Sequence, residues 1–243
     1  MLKWTAKGKG LYAVKTIGIL CASDTELVPF LARMKTAQKM EKAMLTFYSG
    51  TLPTVNVKVV AVYSGVCKVN AAVAAQLLIE AFHAEAVINA GTAGGMDERV
   101  QLFDTVVAEQ TAYHDVAGDI LTEFHPWMQS VYFQADERLL AAARTYSRTA
   151  EHPVLFGKIV TGEQFITDEN REKINAAFAP LAVDMESASV AHVCHVNGVP
   201  FLAVRTVTDT AAHSGAENFE RNCEQASEIA AKAVVGILEQ IAS

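Results

Sequence analysis

Acidic side chains recur where apolar runs of this chain come to an end. Within 182–209 (AVDMESASVAHVCHVNGVPFLAVRTVTD), Asp184 and Glu186 stand at a first strand exit and Asp209 at a second, with Arg205 four residues before Asp209. Glu26 follows the run 15–22 (KTIGILCA), Gly91-Thr92 follows 86–90 (AVINA), and Phe165 follows 154–161. Charge at a buried strand end is costly without a partner, and ligands of open α/β sheets bind in the crevice outside the carboxyl ends of the strands. Several carboxylates around an aromatic ring suit a reaction that builds positive charge and needs both an acid and a base. Glycosidic cleavage has that character. Anions stabilise its oxocarbenium-like transition state, an acid of raised pKa protonates the leaving group, and a second carboxylate activates water. Taken singly, each acid reads as a surface or helix-capping group and Phe165 as a core ring. The set at strand exits does not.

The elements that must carry these groups alternate between strand and helix. After 15–22, Ser23-Asp24-Thr25 offers three helix N-caps, and Leu27, Phe30, Leu31 and Met34 follow at helical spacing. Pro29 is expected in the first helical turn, so that helix is expected to begin late. Strands are expected at 43–49 and 55–63, joined by a turn around Leu52-Pro53-Thr54. A helix at 68–82 is apolar on nearly every face, which implies burial on more than one side and a subunit interface. The strand 86–90 is expected to end in a tight, glycine-rich turn, 91–95, where the backbone can approach a ligand closely. Further strands are expected at 104–110, 154–161, around 182 and at 199–209. Helices are expected at 136–148, around 170–178, between the last two strands, and at 217–242. Segment 116–134, with Phe124, Trp127, Tyr132 and Phe133, reads as a long loop or lid. The C-terminal stripe Phe219, Cys223, Ala226, Ala230, Ala233, Ile237 and Ile241 reads as packing. The fold class is α/β, a single domain at 15–243 with a mixed, largely parallel central sheet flanked by helices, preceded by an N-terminal extension at 1–14.

Composition narrows the function classes. Half the residues are hydrophobic (51%) and 19% are charged, which implies a large buried core. A formal charge of −7 argues against a nucleic-acid or anionic-membrane surface. No apolar run is long enough to span a bilayer, and no signal peptide is recognisable. The four scattered cysteines fit reduced thiols in the cytoplasm better than a disulfide framework. His192 and His195 flank Cys194, but no second Cys/His pair lies nearby, so no metal site is expected. Neither GxGxxG nor GxxxxGK[ST] occurs, and no cofactor is expected.

Read together, IGILCASDTE (17–26), INAGTAGG (88–95), YHD (113–115), TGEQFI (161–166), VDMES (183–187) and VPFLAVRTVTD (199–209) resemble the bacterial 5′-methylthioadenosine/S-adenosylhomocysteine nucleosidases of the nucleoside phosphorylase superfamily. The resemblance implies a nucleoside phosphorylase-like fold, a small-molecule nucleoside and water as reactants, and a homodimer. It also implies residue roles. Asp209, assisted by Thr208, corresponds to the acid that protonates the purine at N7. Glu26, helped by Arg205 and Thr92, corresponds to the residue that deprotonates the attacking water. Glu186 matches the carboxylate on the ribose hydroxyls, with Met185 beneath the sugar. Phe165 matches the ring stacked on adenine, and the Ile166 backbone reads the base edge. Thr92 and Thr208 stand where the family commonly has Ser, Asp184 where Glu is usual, and Ser23 where Met is usual. Between Asp115 and Ala135 the family pattern is not recognisable, which leaves the 5′ substituent open.

Two other functions fit less well. A phosphorylase would want cationic donors around the nucleophile site. The turn after the first strand instead carries Asp24 and Glu26, and Asn89 stands where phosphorylases of the superfamily carry Arg. A non-catalytic nucleoside-binding module would not need an acid and a water activator together.

Overall fold

Apolar runs become buried strands, and the first of them, β1 (Thr16–Cys21), is buried along its whole length. The computed structural model describes residues 16–55, 57–124, 128–166, 168–210 and 216–242; the expected extension at 1–14 and Trp127 lie outside these. The described elements continue with α1 (Asp24–Arg33), β2 (Lys35–Lys42), β3 (Leu45–Leu52), β4 (Val57–Tyr63), α2 (Lys68–Glu80), β5 (Ala86–Gly95) and β6 (Thr105–Tyr113). After these come α3 (Gly118–Glu123), β7 (Phe133–Gln134), α4 (Glu137–Ser147), β8 (Val154–Thr161), α5 (Asp168–Phe178), β9 (Ala182–Asp184), α6 (Ser187–Asn197), β10 (Phe201–Asp209) and α7 (Ala216–Ala242).

β1 pairs in parallel with β4 and β5, and β5 pairs in parallel with β10. From β10 the ladder runs antiparallel to β6, parallel to β8 and parallel to β9, and β9 returns antiparallel to β5. The sheet therefore closes on itself at this end, while β1, β4, β3 and β2 extend from the ring as a wing. α2 and α6 pack together over one face, and α1, α4 and α7 over the other. The first layer buries Ala74 and Leu78 of α2 with Ala188 and Cys194 of α6. The second buries Phe30 of α1, Leu139 of α4 and Val234 and Ile237 of α7. α2 is buried on one side only in the single chain: Ala71, Ala74, Ala75 and Leu78 are covered, whereas Val69 and Val73 are exposed.

Four expectations need correction. α1 does not begin late. Ser23 caps it, its side chain accepting from the Glu26 amide while Glu26 accepts from the Ser23 amide, and this reciprocal box fixes the start ahead of Pro29. Pro29 is thus internal and buried, forfeiting one helical hydrogen bond. Secondly, residues 35–42 form an edge strand, and Ala43-Met44 is the hairpin turn rather than the start of a strand; both have positive φ, 50° and 63°. Thirdly, 91–95 is not a turn. Gly91, Thr92, Ala93 and Gly94 pair with Arg205, Thr206, Val207 and Asp209, so β5 continues to Gly95. Lastly, 116–134 is not a structureless loop: it contains α3 and leads into β7, and Phe133 is a core ring stacked on His192 at 4.9 Å.

Candidate active site

A cavity of about 270 Å³ opens where β1, β5, β9 and β10 end. Eight of the nine site residues expected from sequence line it: Glu26, Thr92, Phe165, Ile166, Met185, Glu186, Thr208 and Asp209. The ninth, Arg205, is fully buried behind the wall.

Glu26 is placed by the turn from β1 into α1. Its Oε2 accepts from the Ala22 amide at 2.7 Å and the Ser23 amide at 3.2 Å. Its Oε1 accepts from the Thr92 amide at 2.7 Å and the Thr92 hydroxyl at 2.9 Å. Gly91 makes this approach feasible, since a Cβ there would lie 2.4 Å from Glu26 Oε1. The glycine thus serves close backbone approach inside a strand.

Asp209 sits three residues farther along the same strand partner, opposite Gly94. At strand rise this separates the anchor points of the two acids by roughly 10 Å. The register between β5 and β10 shifts between Val207 and Asp209. Such an irregularity re-aims side chains, and here the adjacent Thr208 and Asp209 both face the cavity, which strict alternation would forbid. Asp209 Oδ1 accepts from the Thr208 hydroxyl at 2.9 Å. Burial raises the Asp209 pKa, opposed by that hydrogen bond and by the Arg171 charge.

Arg205 organises the remaining acids from behind. Its Nε meets Asp184 Oδ2 at 2.9 Å, and its Nη2 meets Glu186 Oε2 at 3.1 Å and Asn89 Oδ1 at 2.6 Å. Its Nη1 stands 3.8 Å from Glu26 Oε1. One guanidinium therefore faces three carboxylates. Glu186 also accepts from the Cys67 amide at 3.0 Å. Burial pushes its pKa up to about 7; Arg205 opposes the rise, and the Asp184 and Glu26 charges add to it. Asp184, whose role the sequence left open, accepts from the Thr161 hydroxyl at 2.6 Å and the Ser187 amide at 3.1 Å, so it ties the start of α6 to Arg205.

Phe165 lies across the mouth, 45% exposed, with Phe219 edge-on at 6.4 Å between ring centroids. Phe219 lines the cavity, which corrects its assignment to the packing stripe of α7. Val66 and Arg171 line it as well and had no signal in the sequence, and Gln164 lines it from within the 161–166 motif, where it had no assigned role. Arg171 is buried, and its Nη1 donates to the Gly95 carbonyl. The described residues of 116–134 do not line the cavity. His192 hydrogen-bonds the Tyr113 hydroxyl through Nδ1 at 3.3 Å, and no group of His, Cys, Asp and Glu suited to hold a metal occurs among the described residues.

The phosphorylase superfamily model matches residues 16–239. A 5′-methylthioadenosine/S-adenosylhomocysteine nucleosidase of Pseudoalteromonas translucida is 34% identical over 233 residues, covering 93% of this chain and 97% of its own. The chain belongs to the 5′-methylthioadenosine/S-adenosylhomocysteine nucleosidases of the phosphorylase superfamily. The crystal structure of S-adenosylhomocysteine nucleosidase from Streptococcus pyogenes, in complex with 5-methylthiotubericidin, superposes with a TM-score of 0.86 at 30% identity, covering 93% of this chain and 97% of that one. Futalosine hydrolase of Helicobacter pylori superposes with a TM-score of 0.84 at 28% identity, covering 92% and 97%. The nucleosidase family is thus matched along both sequence and fold, and the structural neighbours are named for different nucleosides.

Proposed function

We propose that the chain hydrolyses the N-glycosidic bond of 5′-modified adenosines, 5′-methylthioadenosine and S-adenosylhomocysteine foremost, releasing adenine and the 5′-substituted ribose. The observation that carries this reading is the pair of acids set along β5: Glu26 against Gly91 and Thr92, and Asp209 against Gly94. A base between Phe165 and the Asp209 end presents N7 to a carboxylic acid whose pKa is raised by burial, so that the acid is available to donate a proton. As the base leaves, positive charge grows on the sugar, and the carboxylates around Arg205 stabilise it. Glu186 accepts from the ribose hydroxyls, and Met185 lies beneath the ring. Water at Glu26 attacks the anomeric carbon and loses its proton to that carboxylate. Thr92 and, from behind, Arg205 hold Glu26 in place. Thr208 orients Asp209, and Ile166 contacts the base edge. Separated carboxylates with room for a water between them are the arrangement of direct displacement by water.

Water is favoured over phosphate as nucleophile because Arg205 is already paired with Asp184 and Glu186, and Asn89 is committed to Leu20 and Arg205. A phosphate dianion would enter among Glu26, Asp184 and Glu186, with Arg205 held by these carboxylates and Arg171 bonded to the Gly95 carbonyl. The test is adenine release from a panel of 5′-substituted adenosines and futalosine, with and without phosphate. Phosphate-independent formation of the free sugar is expected; turnover that requires phosphate and yields a sugar 1-phosphate would overturn the reading.

The proposal extends to a domain spanning 15–243, and to a cytoplasmic homodimer acting in methionine salvage. The exposed Val66, Val69 and Val73 around the start of α2 support the dimer, as an aliphatic face beside the cavity that a second copy would cover. Light scattering at micromolar concentration checks it. No helix among the described residues is long and apolar enough to cross a membrane.

A further inference from the structure

The loop 162–166, which carries Phe165 and Ile166, is held from outside the cavity by groups with no role so far. The Glu163 amide donates to Asp115 Oδ2 at 2.9 Å. Lys68 Nζ lies 2.9 Å from both oxygens of Asp115. Lys68 also donates its own amide to Glu163 Oε1 at 3.1 Å, so cation, carboxylate and loop form a closed cycle. One residue earlier, the His114 ring packs so closely on Gly162 that a Cβ there would lie 2.2 Å from Nε2. The loop is therefore gripped at two successive residues, two positions before the ring that covers the cavity mouth. Lys68 begins α2, and the preceding amide, Cys67, is the one that holds Glu186.

We propose that Lys68 and Asp115 are positioning residues for nucleobase recognition, an ion-pair latch that sets the Phe165 loop and so determines affinity for the base half of the substrate. This rests on the nucleosidase reading for the identity of the two halves. The pair touches neither the cavity nor any reacting group. Its effect passes through the Glu163 backbone to Phe165 and Ile166, and leaves Glu26 and Asp209 where they are. Charge-assisted, two-oxygen contacts are among the stronger polar interactions available at a partly covered site, and the Lys68 and Asp115 side chains are only 20% and 28% exposed.

The test compares adenine and 5-methylthioribose binding by calorimetry for the wild-type protein, Asp115→Asn and Lys68→Met. Adenine Kd is expected to rise about tenfold in both variants, with 5-methylthioribose within about twofold, and the nucleoside KM to rise with kcat little changed. Lys68→Arg, which keeps a two-pronged cation, is expected to restore adenine binding. Wild-type affinity for adenine should also fall with added salt, and that dependence should shrink in Asp115→Asn. Equal weakening of both fragments, or unchanged adenine binding, would overturn the latch. Should Asp115→Asn lose its cooperative unfolding transition, Lys68→Met decides the question. Fragment binding needs no turnover, so failure of the hydrolase reading would appear separately, as absence of adenine release by the wild-type protein.

Discussion

Glu186→Gln should make the protein's stability less sensitive to pH. Glu186 is 3% exposed and carries a pKa raised to about 7, first by burial, with Arg205 opposing and Asp184 and Glu26 reinforcing. The unfolded chain releases this proton near the ordinary value of 4.5. An acid whose folded pKa is raised contributes stability that is fully present below the unfolded pKa and is lost as pH climbs through the folded one. The window is therefore from about 4.5 to about 7, and the whole swing is about 3 kcal/mol at roughly 1.4 kcal/mol per pKa unit. Between about pH 6 and about pH 8, a single such site loses about 1 kcal/mol, or about 3 °C of Tm for a chain of this size. Glutamine cannot titrate. The Tm difference between variant and wild type should accordingly shift by about 3 °C in the variant's favour between the two buffers, as read by thermal unfolding. Taking that difference removes the contribution of the histidines, which both proteins share. An unchanged difference would refute the reasoning, because Glu186 would then not be titrating in this window. The same variant should raise KM through loss of the ribose acceptor.

Asp209→Asn keeps shape and removes the proton donor, so adenine release should fall by about 10²–10⁴-fold with a cooperative unfolding transition retained; near-normal turnover would remove Asp209 from the mechanism. In the wild type, kcat should decline as pH rises through the raised pKa of Asp209, and a rate that increases across that range would contradict its role as the acid. Gly91→Ala drives a methyl group into Glu26, so activity should be lost and Tm should fall, both measurable on one purified sample. Phe165→Ala should weaken adenine binding by about 1–3 kcal/mol if the ring stacks on the base, with little change in the affinity for 5-methylthioribose.

Buried strands were the most legible part of the chain. Residues 154–161 and the run ending at Asp209 are apolar enough to declare themselves, and they deliver Phe165 and Asp209 where expected. β2 gave no such signal. KTAQKMEK is an exposed edge strand stabilised by its pairing with β3, and the hairpin tip uses Ala43 and Met44 in a conformation that normally advertises itself through Gly or Asn. Pro29 misled for a related reason: a helix-start rule was applied to a residue whose helix had already been fixed by the Ser23–Glu26 box. In the site, carboxylates announced themselves because burying them needs an explanation. Phe219 did not, since an aromatic at helical spacing looks the same whether it meets a core or a ligand. Arg171 was hidden among the polar neighbours of DENREKINAAF, where only tertiary placement separates a buried guanidinium from a solvated one.

β5 bonds to β10 along one side from Val87 to Gly94, and on the other to β1 as far as Asn89 and to β9 from Gly94, so the edge between them is left to Glu26, which accepts from the Thr92 amide. Glu26 and Asp209 take their positions from two glycines of this one strand. The strand acts as a ruler. The spacing that bond breaking depends on is written into backbone pairing, whereas the walls that meet the rest of the substrate come from loops and helix ends. On the proposed reading, exchanging Val66, Gln164 or Phe219 would reshape the wall that meets the substrate while leaving the strand that sets Glu26 and Asp209 apart as it is.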